Sequence, residues 1–440
     1  MRSTIAIFII FLAASIGVVG SAEANRNYPP KFEGNFREKV FTTPPALDSY
    51  SAWLDNNPVR GSVFVGGQNG TWFKQGQFPR LYEITLQSDS YVQLDPVRSS
   101  GTVWGGGYNG SQLLVSGWGT DDNSTGPYIW LYNGSHVISE GSLDDYGPAS
   151  SWYGGDVFAA SYNGKEWLLS GLGSGVLSQF SDIAMNHMSL GTFNGSVFTD
   201  LSSLVPDQVD AILYANAWNG QYWLVGGGFV DDGVLFTFDG NKTVDLTSAA
   251  ENAISTFGSV QSLAWNGNYW LIGGVGFLAE YDGRNFTDLT QQLARKLSIN
   301  DFYSVNAIAW DGQSWLIGGG TPIAQTTRNH AWIASYSSAG FVDRSSALPS
   351  YISQKSQSSS ILGITPVNGM WILGGYAGAH GILLAYQEGG LLIDYSHLVS
   401  GFTYVDWVSS LAPVAFRSEP RYRMCSPTQS ILPEMAFGCG

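Results

Sequence analysis

The stretch SLAWNGNYWLIGG, residues 262–274, is one copy of a short pattern that this 440-residue chain repeats. The fuller copies have a hydrophobic segment, a turn built on Asn-Gly or Asp-Gly, and a second hydrophobic segment that ends in small residues. Successive copies lie about 45 to 57 residues apart, a spacing that indicates an array of one supersecondary unit. Further copies occur at residues 60–67, 106–117, 160–171, 215–227, 307–319 and 366–375.

The full unit predicts four β-strands, as residues 260–290 show. VQSLAW and YWLIGG flank Asn266-Gly267, and FLAEY and NFTDL flank Asp282-Gly283. Asn-Gly and Asp-Gly favour two-residue hairpins, because both central residues of such a turn need positive φ. Four-stranded units at this period predict an all-β chain that forms a single β-propeller with seven blades. Six or eight blades remain alternatives, because the copy at 60–67 is weak.

The two ends of the repeat region are expected to meet. The copy at 60–67 has no convincing strand directly before it. In contrast, YVDWVSSLAPVAF at 404–416 resembles the opening strand of a blade, YSVNAIAW at 303–310. We therefore expect a C-terminal strand to complete the first blade and close the ring, which pairs strands that would otherwise be exposed edges.

The segments outside the repeats suggest export. The chain opens with Arg2, an apolar stretch and an Ala-Glu-Ala site that ends at residue 24, which is typical of a secretory signal peptide. A retained membrane anchor is the less favoured alternative, because the apolar run is short and interrupted. We therefore expect a secreted or cell-surface protein. The expected domains are the signal peptide (1–24), an irregular N-terminal arm (25–59), the propeller (60–416) and a C-terminal tail (417–440).

Composition narrows the range of partners. The formal net charge is −15, and only 12 % of the residues are charged. Such a surface argues against nucleic acid and anionic lipid as partners. The two cysteines, Cys425 and Cys439, both lie near the C-terminal end, and in an exported protein they predict one disulfide bond.

The blade pattern resembles the kelch repeat. In that family a hydrophobic strand ends in Gly-Gly and is followed by a tyrosine and then by an aromatic residue on the last strand; here Gly273-Gly274, Tyr281 and Phe286 follow this order. The resemblance implies a kelch-like propeller, similar in architecture to the central domain of galactose oxidase. Copper oxidases of that fold need a cysteine cross-linked to a tyrosine, together with histidine ligands. Both cysteines here lie outside the blades and the five histidines share no ligand spacing, so we expect no metal and no cofactor.

Side chains that recur from blade to blade are interpreted as scaffold. An aspartate ends the fourth strand of five blades, where it is expected to accept hydrogen bonds from backbone donors of a turn. An aromatic residue recurs on the second strand and is expected to lie in the core. The aspartates are Asp200, Asp245, Asp288, Asp343 and Asp394, and the aromatic residues are Trp167, Trp223, Trp270, Trp315 and Trp371.

Binding is therefore expected where the blades differ. Turns between first and second strands, and between third and fourth strands, share one face of a propeller, here called the tight-turn face. The other connections, which are long and unequal here, share the opposite face, called the loop-rich face, and such loops commonly carry binding residues. Candidates to bind a cation, a sugar or a basic protein segment are Trp118, Asp121, Asp122, Asp144, Asp145, Tyr146, Asp231 and Asp232. The alternative is that these acids are ordinary solvated loop residues.

Seven Asn-x-Ser/Thr sequons are candidate N-glycosylation sites, and most lie at or beside the tight turns. Glycans there would cover the tight-turn face and leave the loop-rich face open. The alternative is that Asn-Gly turns followed by Ser or Thr create sequons by chance. The asparagines are Asn69, Asn109, Asn123, Asn133, Asn194, Asn241 and Asn285.

These features favour a secreted or cell-surface, non-enzymatic binding module that holds a protein or carbohydrate ligand on its loop-rich face. One alternative is an extracellular enzyme that acts on glycans through a carboxylate pair near the central funnel. A second alternative is a structural subunit of a cell envelope or filament, which would contact a neighbour through the N-terminal arm. No catalytic residue is assigned, since the chain has no nucleophile, zinc-binding or phosphate-binding motif.

Overall fold

The computed structural model of the protein contains seven four-stranded antiparallel sheets, which are the blades of one β-propeller. This confirms the predicted all-β class, the strand number per blade and the blade count. The predicted signal peptide, N-terminal arm and C-terminal tail, with Cys425 and Cys439, lie outside the described residues. The structure describes residues 62–69, 78–86, 88–94, 100–120, 125–133, 137–152, 155–174, 186–206, 211–229, 231–299, 303–322, 329–352, 358–389, 391–400, 402 and 404–410.

The strands follow one another blade by blade along the chain. Blade one contains β1 (Ser62–Asn69), β2 (Phe78–Thr85) and β3 (Ser90–Gln93). Blade two contains β4 (Ser100–Tyr108), β5 (Leu113–Thr120), β6 (Thr125–Tyr132) and β7 (Val137–Ser142). Blade three contains β8 (Asp156–Tyr162), β9 (Trp167–Ser174), β10 (Asn186–Phe193) and β11 (Phe198–Asp200). Blades four and five contain β12 (Ile212–Trp218), β13 (Trp223–Phe229), β14 (Asp232–Phe238), β15 (Thr243–Asp245); and β16 (Val260–Trp265), β17 (Trp270–Gly274), β18 (Phe277–Tyr281), β19 (Phe286–Asp288). Blades six and seven contain β20 (Ser304–Trp310), β21 (Trp315–Pro322), β22 (Asn329–Ser337), β23 (Gly340–Asp343); and β24 (Ser359–Val367), β25 (Met370–Ala377), β26 (His380–Gln387), β27 (Leu391–Asp394).

Helical segments follow the fourth strands. Two α-helices are described, α1 (Thr247–Ala253) after blade four and α2 (Thr290–Leu297) after blade five. Neither is long and apolar enough to span a bilayer, and the described ranges contain no other α-helix. Short 3₁₀ turns lie at Leu143–Asp145, Ser150–Trp152, Ser202–Leu204, Ser345–Ala347 and Ser396–Val399.

The ring closes through the last described strand, β28 (Tyr404–Ser410). It pairs antiparallel with β1, with Val408 opposite Val65 and Ser410 opposite Val63, and it is the innermost strand of blade one. The predicted closure of the first blade by a C-terminal strand is therefore confirmed. The rest of the predicted segment, residues 411–416, lies outside the described part of the chain.

Seven apolar clusters, one at each junction between neighbouring blades, form the core. Each recurring second-strand tryptophan is at most 3 % exposed, which confirms that these residues are core. Trp270, for example, packs with Ala215, Leu224 and Leu235 of the preceding blade. Burial of such large rings stabilises each junction, because apolar area removed from water contributes about 25 cal/mol per Å².

The recurring aspartates accept hydrogen bonds at the end of the fourth strand, and this arrangement is here called the aspartate clasp. In blade five the Asp288 carboxylate accepts a hydrogen bond from the Thr290 backbone N–H at 2.9 Å. The Thr290 hydroxyl oxygen accepts in turn from the Leu278 N–H on β18. Equivalent Asp-to-Ser/Thr bonds occur at Asp200, Asp245, Asp343 and Asp394, so the predicted structural role is confirmed.

Some clasps also hold the preceding connector. The second carboxylate oxygen of Asp288 accepts hydrogen bonds from the Ser255 backbone N–H at 3.1 Å and the Ser255 hydroxyl at 2.9 Å. Ser255 belongs to the connector between blades four and five, so this carboxylate fixes a neighbouring segment as well as its own turn. Asp200 accepts in the same way from Ser151, and Asp394 accepts from the Tyr351 hydroxyl.

The hairpins differ from the predicted two-residue form. Tyr162 pairs with Trp167, which leaves four residues in the turn. Asn163 accepts hydrogen bonds through its side-chain oxygen from the N–H groups of Lys165 and Glu166, both at 2.8 Å, and Gly164 alone has positive φ, at 97°. Asn-Gly therefore acts here through a side-chain cap and one left-handed glycine. The two-residue form occurs in blade seven, at Asn368 and Gly369.

The two kinds of clasp provide a matched test of the connector bond. Asp288→Ala removes two hydrogen bonds from Ser255 of the connector as well as the bond from Thr290 in its own turn, whereas Asp245→Ala removes the bond from Thr247 in its own turn. Because a hydrogen bond to a charged group contributes about 1.5–3 kcal/mol, we expect the free energy of unfolding to fall by roughly 1–3 kcal/mol more in Asp288→Ala. Urea unfolding followed by tryptophan fluorescence measures both; equal losses would contradict a stabilising connector bond.

Candidate ligand site in the central channel

The first strands of the seven blades form a closed inner ring. Each contacts the first strand of the next blade, from β4 through β8, β12, β16, β20 and β24, and β28 contacts both β24 and β4. Side chains that these strands direct inward line the central channel of the propeller. Each first strand starts at the loop-rich face, because it follows a connector between blades.

Every inner strand has a β-bulge at the same place. In blade three the pairing with β9 skips one residue between Val157 and Ala159, and the extra residue is Phe158. A bulge leaves one residue unpaired and re-aims its side chain, and bulges are common next to functional sites. The bulge residues of blades two to seven and then one are Trp104, Phe158, Tyr214, Gln261, Asn306, Leu362 and Asp406.

Three adjacent bulge residues are aromatic and contact one another. The ring centroids of Trp104 and Phe158 lie 5.3 Å apart, and those of Phe158 and Tyr214 are also 5.3 Å apart. With Leu172 and Ile212 they form an eighth apolar cluster, separate from the seven junction clusters. Trp104 and Tyr214 are only half-buried, so this aromatic row, Trp104–Phe158–Tyr214, presents a surface to the channel.

Asp156 is a buried acid beside the aromatic row. It is the first residue of β8, at the loop-rich end of the inner strand, and is 7 % exposed. Burial raises the pKa of its carboxyl group to about 7, although a hydrogen bond from the Trp104 indole N–H opposes the shift. Asp156 lies two residues before the bulge of its strand. At the same position blades two, four, five, six, seven and one have, in that order, Thr102, Ile212, Ser259, Ser304, Ser360 and Tyr404.

The Tyr214 hydroxyl group belongs to the same environment. Its oxygen is buried and has no hydrogen-bond partner among the described residues. Burial raises the pKa of Tyr214 well above its usual range, and the negative charge of ionised Asp156 raises it further. A buried hydroxyl group without a partner costs free energy. A ligand that hydrogen-bonds Tyr214 would recover that free energy.

The facing part of the ring is polar and internally bonded. Gln261 donates a hydrogen bond through Nε2 to the Ser259 hydroxyl oxygen at 3.0 Å. Asn306 donates through Nδ2 to the Ser360 hydroxyl oxygen at 2.9 Å and accepts a hydrogen bond from the Ser304 hydroxyl. These amide groups already have partners, whereas the buried Tyr214 hydroxyl group has none among the described residues.

The predicted site residues between blades two and three lie on one short segment. Asp144 accepts a hydrogen bond from the Ala149 N–H at 3.0 Å, and Asp145 accepts one from the Ser142 N–H at 2.8 Å. The Tyr146 hydroxyl shares a hydrogen bond with the Ser139 hydroxyl at 2.5 Å. Both aspartates are exposed, and each helps to fold its own connector.

The other predicted site residues are separate from this segment. Asp231 and Asp232 are exposed at the turn between β13 and β14 in blade four. Trp118 lies on β5 opposite Thr102 and is half-buried. No hydrogen bond among the described residues links the acids of the two blades. Asp121 and Asp122 lie outside the described residues, and binding by any of these side chains stays a prediction.

Sequence reasoning missed Asp156, Trp104 and Tyr214. One signal was available, because Asp156 opens the strand DVFAASY at a position where several other blades have a hydroxyl residue. The aromatic row was hidden, since the bulge changes which face of the strand each side chain occupies. Alternation alone assigns these residues to the wrong faces.

The buried acid has a measurable effect on stability. The folded state keeps a proton on Asp156 up to about pH 7, whereas an unfolded aspartate loses it near pH 4. The stabilising contribution is therefore fully present below about pH 4 and is lost as the pH rises through about 7. Asp156→Ser installs the residue found in blades five to seven and removes this dependence. Between pH 5 and pH 8 we expect the free energy of unfolding to fall by about 2–3 kcal/mol more in the wild-type protein than in the variant. Urea unfolding at a series of pH values measures both, and parallel pH profiles would contradict the raised pKa.

Comparison with known proteins gives likeness in fold only. No protein-family model matches the sequence, and no curated protein matches it. Among solved structures, a putative 6-phosphogluconolactonase from Bacteroides fragilis aligns with 79 % of this chain and 97 % of its own, at 10 % identity and a TM-score of 0.46. Pyrococcus horikoshii acylaminoacyl peptidase aligns with 76 % of this chain and 51 % of its own, at 9 % identity and a TM-score of 0.46. The β-propeller domain of the Trilobed protease from Pyrococcus furiosus aligns with 67 % and 82 %, at 8 % identity and a TM-score of 0.38. Likenesses at this level carry no argument about activity.

Proposed function

We propose that the protein is a secreted or cell-surface, non-enzymatic binding module that takes its ligand, or part of a larger carbohydrate or protein ligand, into the central channel. The supporting observation is the eighth apolar cluster, which joins blades two, three and four and has no counterpart among the junction clusters. Its half-buried rings, Asp156 and the Tyr214 hydroxyl offer apolar, acidic and hydrogen-bonding contacts in one place. Ligand sites commonly combine an apolar lining with a few placed polar groups.

The loop-rich face is the proposed entrance. Asp156 directly follows the connector between blades two and three, so the acid lies at the end of the channel that opens on this face.

The positions of the sequons also favour the loop-rich face as the entrance. Asn133, Asn194, Asn241 and Asn285 are exposed in or beside turns between third and fourth strands, on the tight-turn face. Glycans on these asparagines would leave the loop-rich face uncovered. Asn109, in a first hairpin of that face, is half-buried; the Asn69 side chain and Asn123 lie outside the described residues.

The non-enzymatic assignment rests on the number of carboxyl groups. Glycoside hydrolysis generally uses two carboxyl groups that flank the scissile bond. Asp156 is the carboxyl group that the structure describes beside the aromatic row. The register places Asp406 at the bulge of blade one, two blades away, and a glycan-cleaving enzyme would use this residue as the second acid. Binding needs Asp156 alone and is therefore preferred.

The kelch-like character is part of the proposal. Tyr281 on β18 stacks on Phe286 of β19 with ring centroids 4.4 Å apart, and Tyr336 stacks on Phe341 at 4.3 Å. These are the third-strand tyrosine and fourth-strand aromatic residue of the kelch pattern, and their contact gives that pattern a packing role. The leader at residues 1–24 supports secretion.

The experiment is a binding screen with paired tryptophan variants. The secreted chain is titrated with neutral oligosaccharides, amino sugars, quaternary ammonium compounds and neutral alcohols, and binding is followed by ligand-observed NMR. We expect at least one compound to bind and Trp104→Phe to weaken it by about fivefold or more, since a tryptophan face contributes on the order of 1 kcal/mol. Trp118→Phe, in the same blade, should leave binding unchanged. Absence of any binding, or equal effects of the two variants, would contradict the channel site.

A variant at an exposed acid distinguishes a ligand site in the channel from one on the loop-rich face. Asp231→Asn removes an exposed acid on the loop-rich face, and we expect it to retain wild-type affinity. Loss of affinity in Asp231→Asn, with Trp104→Phe unaffected, would move the site to the predicted acid pairs. Urea unfolding of each variant confirms that the fold is retained. Release of reducing sugar from an oligosaccharide of the panel, abolished by Asp406→Asn, would instead establish the glycan-cleaving alternative.

A further inference from the structure

We infer that the channel site selects an organic cation, a protonated amine or quaternary ammonium group carried on a small apolar body. This inference rests on the proposed function and names the ligand class for that site. It is drawn from the chemistry of four side chains: the rings of the aromatic row and the carboxyl group of Asp156.

The buried carboxyl group of Asp156 favours a positively charged ligand. The residue is buried, and no Lys, Arg or His of the described residues forms an ion pair with it. A buried carboxylate without a counter-charge is costly, and it responds by holding a proton. A ligand that brings a positive charge supplies the missing counter-ion. An anionic ligand would increase the cost, and a neutral ligand would leave it unchanged.

The rings of the aromatic row also favour a cation. Aromatic faces carry negative electrostatic potential and attract a cation within about 6 Å of the ring centroid. The half-buried rings of Trp104 and Tyr214 lie on opposite sides of Phe158 and present their surface to the channel. Tryptophan is the strongest of these rings in such contacts. The rings and the acid therefore favour the same charge, and the apolar surface of the row suits methyl or methylene groups around it.

Asp156 also differs from the acids that serve the scaffold. Acids that serve the fold recur at fourth-strand ends and accept backbone hydrogen bonds. Asp156 instead replaces a hydroxyl residue found in the equivalent position of several blades. The fold is built in those blades without an acid, so Asp156 adds a property that the other inner strands lack.

Binding of a cation must displace the proton from Asp156. The titratable groups on the strands packed against β8 are Tyr214 on β12, Tyr108 at the far end of β4, and Tyr128 and Tyr132 on β6; β5 and β9 contribute none. Tyr214 stays protonated at neutral pH because its pKa is raised. The affinity for a cation should therefore increase about tenfold per pH unit up to the pKa of Asp156, near 7, and level off above it.

The test compares two probes of the same shape. Choline is cationic, and 3,3-dimethyl-1-butanol is its neutral isostere. At pH 8 we expect the protein to bind choline about tenfold more tightly or better, because the cation–π contacts and the ion pair both act on choline alone. Affinities are measured by ligand-observed NMR titration. At pH 5 the advantage of choline should fall to a few-fold or less, since Asp156 is then protonated.

Two variants identify the group responsible. Asp156→Asn keeps the shape and removes the charge, so the choline preference should shrink and become independent of pH. Glu251→Gln, which changes an exposed acid of α1 in the connector after blade four, should keep the wild-type preference and pH profile. Urea unfolding at both pH values shows whether Asp156→Asn folds; if it does not, Asp156→Ser takes its place.

The outcomes separate this inference from the proposed function. Equal affinity for the two probes, or a choline preference that survives in Asp156→Asn, would overturn the cation inference. If a neutral oligosaccharide binds and Trp104→Phe weakens it, the channel site stands and the cation inference falls. If choline binds and neither Trp104→Phe nor Asp156→Asn weakens it, both are rejected.

Discussion

The hydrogen bonds between β1 and β28 are the constraint on which the whole ring depends. They join residues more than three hundred positions apart in sequence, and they make β28 the innermost strand of blade one. Without this pairing blade one would lack its inner strand and two junction clusters would open to water. Each blade is too small to bury its apolar faces alone, so the stability of every blade depends on a complete circle of neighbours.

The sequence allowed the scaffold to be predicted because the scaffold repeats. Trp167 and its equivalents, the Asn-Gly turns and the terminal aspartates each occur often enough to show their common role. The site was not predictable in the same way. A β-bulge adds one residue without any change in composition, so nothing in DVFAASY marks Phe158 as the extra residue of its strand. The acids chosen from the loops were visible because they occur in pairs along the sequence, and two of them, Asp144 and Asp145, fold their own connector.

Asp156 shows how a function can be added to a repeating fold at a limited cost. The acid is placed where serine serves in other blades, so the backbone needs no adjustment, and the free-energy penalty is confined to the desolvation of one carboxyl group. Protonation reduces that penalty when no ligand is present. On other inner strands side chains bond one another, as Asn306 on β20 does with Ser304 and with Ser360 on β24, and these strands hold the ring while one sector departs from the pattern.

The seven bulges have a consequence for how such a protein changes over evolutionary time. A bulge residue has no cross-strand partner, so its identity is not constrained by strand register. Mutation can therefore exchange one channel-lining side chain after another while the hydrogen-bond ladder stays intact. The mixture of indole, phenyl, phenol, amide and aliphatic side chains at the bulges of blades two to seven is the diversity that such freedom permits. We expect related propellers to keep each bulge and to differ in the identity of the bulge residue.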